Sequence, residues 1–182
     1  MPREVETGYR SAGYELTRTA DTNAYAIGDH IAPTTTAADV VPLEFEVARD
    51  NGGRGKIIGS DMIVNSATAF GAMRLHLFNR APFAAAGYAA DNAAIAITYA
   101  AMQTGAGVTN QKNNYIGYVD FTTFVAQSSS ALSIGTSEQT ELNFQCQFDS
   151  KKIYGLLEAR AVFTGASSGK FNPILHVAGG LG

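Results

Sequence analysis

Apolar and polar residues alternate along several stretches of the chain. Leu142, Phe144, Cys146 and Phe148 are separated by Asn143, Gln145 and Gln147. A spacing of two puts alternate side chains on opposite faces of a strand, so this run predicts a strand with one buried face. Leu43, Phe45 and Val47 alternate with Glu44 and Glu46, and Met73, Leu75 and Leu77 with Arg74 and His76. Each fits a sheet with one face in water. Ala24–Ile31, Lys56–Val64, Ile95–Tyr99, Tyr115–Phe121, Ile153–Phe163 and Ile174–Val177 complete about nine candidate strands.

Turn-forming residues separate these runs. Asp50-Asn51-Gly52-Gly53 predicts a hairpin turn, and Asn113-Asn114 and Asp149-Ser150 precede further strands. Helical signal is confined to Ala89–Gln103, an alanine-rich run that Asp91 could cap. Short strands at spacings near ten residues, without helical crossovers, predict an all-β protein. The expected architecture is an antiparallel β-sandwich, jelly-roll-like, spanning residues 20–178, with an extended N-terminal arm at 1–19 and a flexible tail at 179–182.

At 182 residues the chain is one domain's worth of sequence. Such a domain buries about seventy per cent of its unfolded surface. The single cysteine, Cys146, leaves no intramolecular disulfide and fits folding in a reducing cytoplasm. On the apolar side of its strand it reads as a buried thiol and not a nucleophile. Charged residues are 16% and the net charge is -3, with no basic run, so direct nucleic-acid binding is not expected. The charged N-terminus reads as neither export signal nor anchor, and Ala81–Met102 is too interrupted by Gly87, Asp91 and Asn92 to span a bilayer. Abundant small residues, with 10 Phe, 8 Tyr and no Trp, suit tightly turned strands.

Gly165-Ala166-Ser167-Ser168-Gly169 matches the G-x-S-x-G pattern of hydrolases. That pattern needs a helix after the serine and then an acid and a histidine. Here Pro173 leads into another strand, and no Asp or Glu follows Ser167. Gly169-Lys170 likewise lacks the glycine five residues earlier and the following Ser or Thr of a phosphate loop. Both read as a turn. His30, His76 and His176 have no metal-ligand spacing, and His76 and His176 read as exposed strand residues. Asp21-Thr22-Asn23 starts like a calcium loop, but Ala32 stands where a bidentate glutamate is needed. It too reads as a turn. No catalytic residue, metal or cofactor is expected, and the chain reads as no enzyme.

Arg3, Arg10 and Arg18 interleave with Tyr9 and Tyr14 in the N-terminal arm. Planar donors beside amphipathic rings suit docking on another protein, so these five are the candidate partner-binding residues. Tyr88, Tyr99, Tyr115 and Tyr118 could instead stack sugars in a carbohydrate-binding module.

Three stretches, Thr19–Ala32 "TADTNAYAIGDHIA", Leu75–Ile95 "LHLFNRAPFAAAGYAADNAAI" and Lys152–Val177 "KIYGLLEARAVFTGASSGKFNPILHV", resemble small tailed-bacteriophage virion proteins of the head decoration, or cement, type. The resemblance implies a structural protein made in the host cytoplasm and carried on the capsid surface. Its implied partners are the major capsid protein and further copies of itself, with a trimer favoured. A tail or neck protein is the alternative within virions. The resemblance brings no catalytic residues.

Overall fold

The structure is a computed structural model that describes residues 8–65, 71–81, 90–95, 114–126, 133–137 and 141–179. The described elements in chain order are β1 (Tyr9–Gly13), β2 (Leu16–Thr17), β3 (Ala24–Tyr25), β4 (His30–Ile31), a 3-10 turn (Ala37–Asp39), β5 (Leu43–Glu46), β6 (Arg54–Val64) and β7 (Met73–Phe78), then β8 (Tyr115–Ala126), β9 (Ser133–Ser137), β10 (Leu142–Gln145), β11 (Lys152–Ala159), β12 (Phe163–Thr164) and β13 (Lys170–Gly179).

The protein is all-β and antiparallel. Eleven strands join one sheet in the order β1-β13-β6-β9-β8-β7-β11-β4, while β3 and β12 form a separate ribbon. Three short strands branch from this path: β2 continues β1 along β13, β10 shares one edge of β6 with β9, and β5 shares one edge of β11 with β4. Strands β7, β8 and β9 form a meander, and β6 returns beside β9, which is Greek-key order. The sheet curls until its margins meet. Arg10 on β1 reaches the other margin, donating from Nη1 to Ala48 O at 3.1 Å and from Nη2 to Glu46 at 3.1 Å.

The concave face holds the core. Met73, Leu75 and Leu77 of β7, Val119 and Phe121 of β8, Ile153 and Leu157 of β11, and Phe171, Leu175 and Val177 of β13 all point into it. On β13 the alternation has no break, so Phe171, Pro173, Leu175 and Val177 are buried on one face. Pro173, with no N–H to offer, is accommodated opposite Met62. β6 solves a harder problem. Ile57, Met62 and Val64 must all face inward, yet 57 and 62 differ in parity. The pairing jumps from His176↔Gly59 to Val177↔Ile57, so Ile58 is an extra residue that switches the phase.

Several expectations are corrected. The chain is already in the sheet at Tyr9, because β1 pairs with Gly13↔Ile174 to Tyr9↔Ala178 register and β2 pairs with Lys170 and Phe171. Residues 9–17 are therefore part of the body and not a free arm; residues 1–7 lie outside the described residues. Asp50–Gly53 does turn, with Gly52 at φ 73° and Gly53 N–H donating to Asp50 O at 3.1 Å. Its flanking strands do not pair with each other, however, since β5 lies against β11 and β6 against β13. Ala24–Ile31 breaks into two strands around a turn in which Asp29 accepts from Ala26 N–H and Gly28 takes φ 95°. Leu142–Phe148 ends early, at Gln145, and Phe148 is 86% exposed in the following turn. Ile153–Phe163 divides into β11 and β12. Ile95–Tyr99 lies outside the described residues except for Ile95, and of the alanine-rich run Ala89–Gln103 residues 90–95 are described; they form a turn and a bridge from Ala94 to Asp29 in place of the expected helix. Asp91 itself is buried, where it accepts from Tyr25 and Ala32.

Candidate functional site

The five candidate partner-binding residues do not form one surface. Tyr9 is 79% exposed on the margin strand β1. Arg10 is half-exposed and tied to Glu46 and Ala48. Tyr14 packs partly buried against the core. Arg3 lies outside the described residues. Arg18 is 2% exposed, which corrects its reading as a docking residue. It follows β2, which pairs at the base of β13, so its side chain is carried inward. There it pairs with Asp21 and lies 3.8 Å from Asp91, with its guanidinium 4.7 Å over the Tyr25 ring. Tyr25 in turn donates to Asp91 at 2.7 Å. Burial and that hydrogen bond push the Tyr25 phenol well above its ordinary pKa, so it stays a donor.

This buried group also explains the hydrolase-like pattern. A side chain at Gly165 would come within 2.6 Å of Arg18 Nη1, and one at Gly169 within 2.8 Å of Ala166 O. Both glycines make room, in a turn closed by Gly169 N–H donating to Ala166 O at 2.9 Å. Ser167 is exposed on that turn, and β13 begins directly after it.

A second polar group lies on the convex face of β7, β8 and β11, where the out-pointing residues of adjacent strands stand opposite one another. His76 is 5% exposed, not the solvent-facing residue its alternation predicts. Its Nε2 is 2.8 Å from Glu158 and its Nδ1 3.0 Å from the Tyr115 hydroxyl. An ionised Glu158 can only accept, so Nε2 carries the proton and Nδ1 accepts from Tyr115. Burial lowers the His76 pKa, more than the Glu158 hydrogen bond raises it. Burial also pushes Tyr115 up to about 12. Arg74 makes a bidentate bond to Asp120, at 2.7 and 2.8 Å, which raises its pKa, and its guanidinium lies 3.7 Å over the Tyr118 ring. These contacts were not visible in the sequence, because cross-strand partners are set by register.

A third group sits beside Tyr9. On the outer face of β1, β13 and β6, Ser11 stands directly opposite His176. Ser11 Oγ is 2.9 Å from His176 Nδ1, and His176 Nε2 is 2.8 Å from Asp61 Oδ2. Ser11 is exposed and the other two are a little over one-third exposed. The His176 ring lies over Gly59, its partner across the ladder. A shallow groove of about 320 Å³ runs past these residues, lined by Tyr9, Arg10, Ser11, His176 and Val177. Sequence reading placed His176 opposite in facing to Leu175 and Val177, which the strand shows, but had no means of pairing it with Ser11, 165 residues away.

Cys146 is buried, and burial raises its thiol to about 11. Among the described residues no group of three or more His, Cys, Asp or Glu could hold a metal ion, and no helix is long and apolar enough to cross a membrane. No protein-family model matches the chain, and no curated protein matches it.

Proposed function

We propose that this chain is a virion structural protein that binds and stabilises the outside of a bacteriophage capsid, as a head decoration or cement protein, and turns over no substrate. In this reading the curled sheet is the body of a jelly-roll-like sandwich, for which the Greek-key order of β6 to β9 is the support. The body assembles with copies of itself, a trimer being favoured. The residues before β1 take part in contacting the major capsid protein.

The observation that carries the reading is the position of Tyr9. A large aromatic ring at 79% exposure, on the margin strand and next to the first seven residues, is an anchor presented to a partner. Several such weak contacts act together when an oligomer engages neighbouring capsomers. The sequence resemblance over three stretches supports the same partner.

Co-sedimentation with expanded, undecorated capsids of the parent phage tests it. Saturable binding at a fixed ratio to the major capsid protein, weakened in Arg3→Ala and Tyr9→Ala, is the expected result. Absence of binding to the shell would discard the decoration role and redirect the search to tail and neck. The glycan-binding alternative has less support, because Tyr115 packs against Phe78 at 5.3 Å and bonds His76, while Arg74 covers one face of Tyr118. Tyr88 and Tyr99 lie outside the described residues.

A further inference from the structure

We infer that Ser11 is an activated nucleophile, an acyl-acceptor site, held in its reactive state by His176 with Asp61 as the residue that orients the imidazole. Three observations converge on it. The serine, histidine and aspartate form one hydrogen-bonded line at 2.9 and 2.8 Å. Ser11 is exposed, on a groove roomy enough for a small acyl group. The line is built by register, with Ser11 opposite His176, His176 opposite Gly59, and Asp61 two residues along β6 from Gly59.

The proton positions follow from the partners. Ionised Asp61 only accepts, so His176 Nε2–H donates to it. Nδ1 then holds a lone pair directed at Ser11, whose hydroxyl donates to it. This is a general base in contact with its nucleophile, oriented by a third group, with the two ring nitrogens exchanged relative to the usual serine triad. Either nitrogen can take the proton when the other donates to a carboxylate.

The reaction is stoichiometric. Ser11 Oγ attacks the carbonyl carbon of an activated ester, its proton passes to His176 Nδ1, the bond from acyl carbon to aryloxide breaks, and the aryloxide leaves with that proton as a phenol. A fluorophosphonate reacts in the same way at phosphorus, with fluoride leaving and the proton released to solvent. The phosphonyl ester formed on Ser11 resists attack by water. The adduct therefore forms once and persists, which keeps this chemistry distinct from the binding role above.

The test is to expose the full-length protein to a fluorophosphonate probe and locate adducts by peptide mass spectrometry. Ser167, exposed on its turn, is the internal reference. Ser11 should react about 10²-fold faster than Ser167, the usual scale of general-base assistance. His176→Gln should bring the Ser11 rate down to the Ser167 level. Asp61→Asn should slow it, with Asp61→Glu restoring it and the melting temperatures of the two variants alike. Ser11 reacting no faster than Ser167 in the unmodified protein would overturn the inference whatever the variants do, as would an unchanged Ser11 rate in folded His176→Gln.

Discussion

Removing the Arg18 guanidinium would leave Asp21 and Asp91 without their cation, and the Asp91 side chain is fully buried. An uncompensated buried charge costs about 3–5 kcal/mol. Arg18→Ala should therefore lower stability by that amount in urea unfolding at neutral pH, whereas a change at the surface pair Lys56–Glu141 should cost less than about 1 kcal/mol. A loss of under 1 kcal/mol in Arg18→Ala would show that the pair contributes little. His76 sets a pH dependence. Its pKa in the folded protein lies below its ordinary 6.5, because burial disfavours the cation. Between those two values the unfolded chain binds the proton and the folded one does not, so stability falls as pH drops below about 6.5 and is level above it. Melting temperatures measured from pH 7.5 down to 5.5 should decline in the native protein and decline less in His76→Gln. Equal slopes would exclude His76 as the source.

Strand elements were legible wherever one uninterrupted period held. β7 and β13 alternate without a break between Met73 and Leu77 and between Phe171 and Val177; the pattern locates β7 over that run but β13 only at Ile174–Val177, because Pro173 reads as a turn, whereas the strand begins at Lys170. β6 is different. Lys56–Val64 reads as a strand, yet its inward set changes parity, and only the pairing with β13 shows that Ile58 is the extra residue. Deleting Ile58 would remove the phase switch and turn either Ile57 or Met62 and Val64 to the outer face. The deletion should abolish cooperative unfolding or lower the melting temperature by more than about 10 °C, which is about 2.5 kcal/mol or more at the ~4 °C per kcal/mol expected of a domain this size. Retained stability would mean that the bulge moves along β6 without cost. β10 shows a second limit of pattern reading. Phe148 continues the alternation of Leu142, Phe144 and Cys146, but the chain turns at Gln147–Ser150 and leaves that ring exposed.

For the whole molecule, the N-terminal segment decides how the binding proposal can be tested. Removing residues up to Thr19 would strip β1 and β2 from β13 and Arg18 from the interior, so loss of capsid binding could reflect damage to the body. Removing residues 2–7 spares every described strand. That truncation should leave the melting temperature within about 2 °C of the full chain, since no described contact is removed, and should weaken capsid co-sedimentation. Unchanged capsid binding would move the contact onto the body. Light scattering on both forms should give the same oligomer, because the oligomer is assigned to the body; a change in mass on truncation would reassign it to the first residues.

From its sequence alone this protein could be read as all-β, with most of its strands and the inward faces of β5, β7 and β13 in place, because side-chain alternation is a local property with a period of two residues. The buried state of Cys146 and the turn at Gly165–Gly169 followed from the same local logic. Which strands pair, where the two margins of the sheet meet and which polar residues touch were decided only in the tertiary structure. Ser11 reaches His176, His176 reaches Asp61, His76 reaches Glu158, and Arg18 reaches Asp91 across separations of 73 to 165 residues. The physical reason is that cross-strand contact depends on register, and register is settled by the burial of both faces together and not by any single segment.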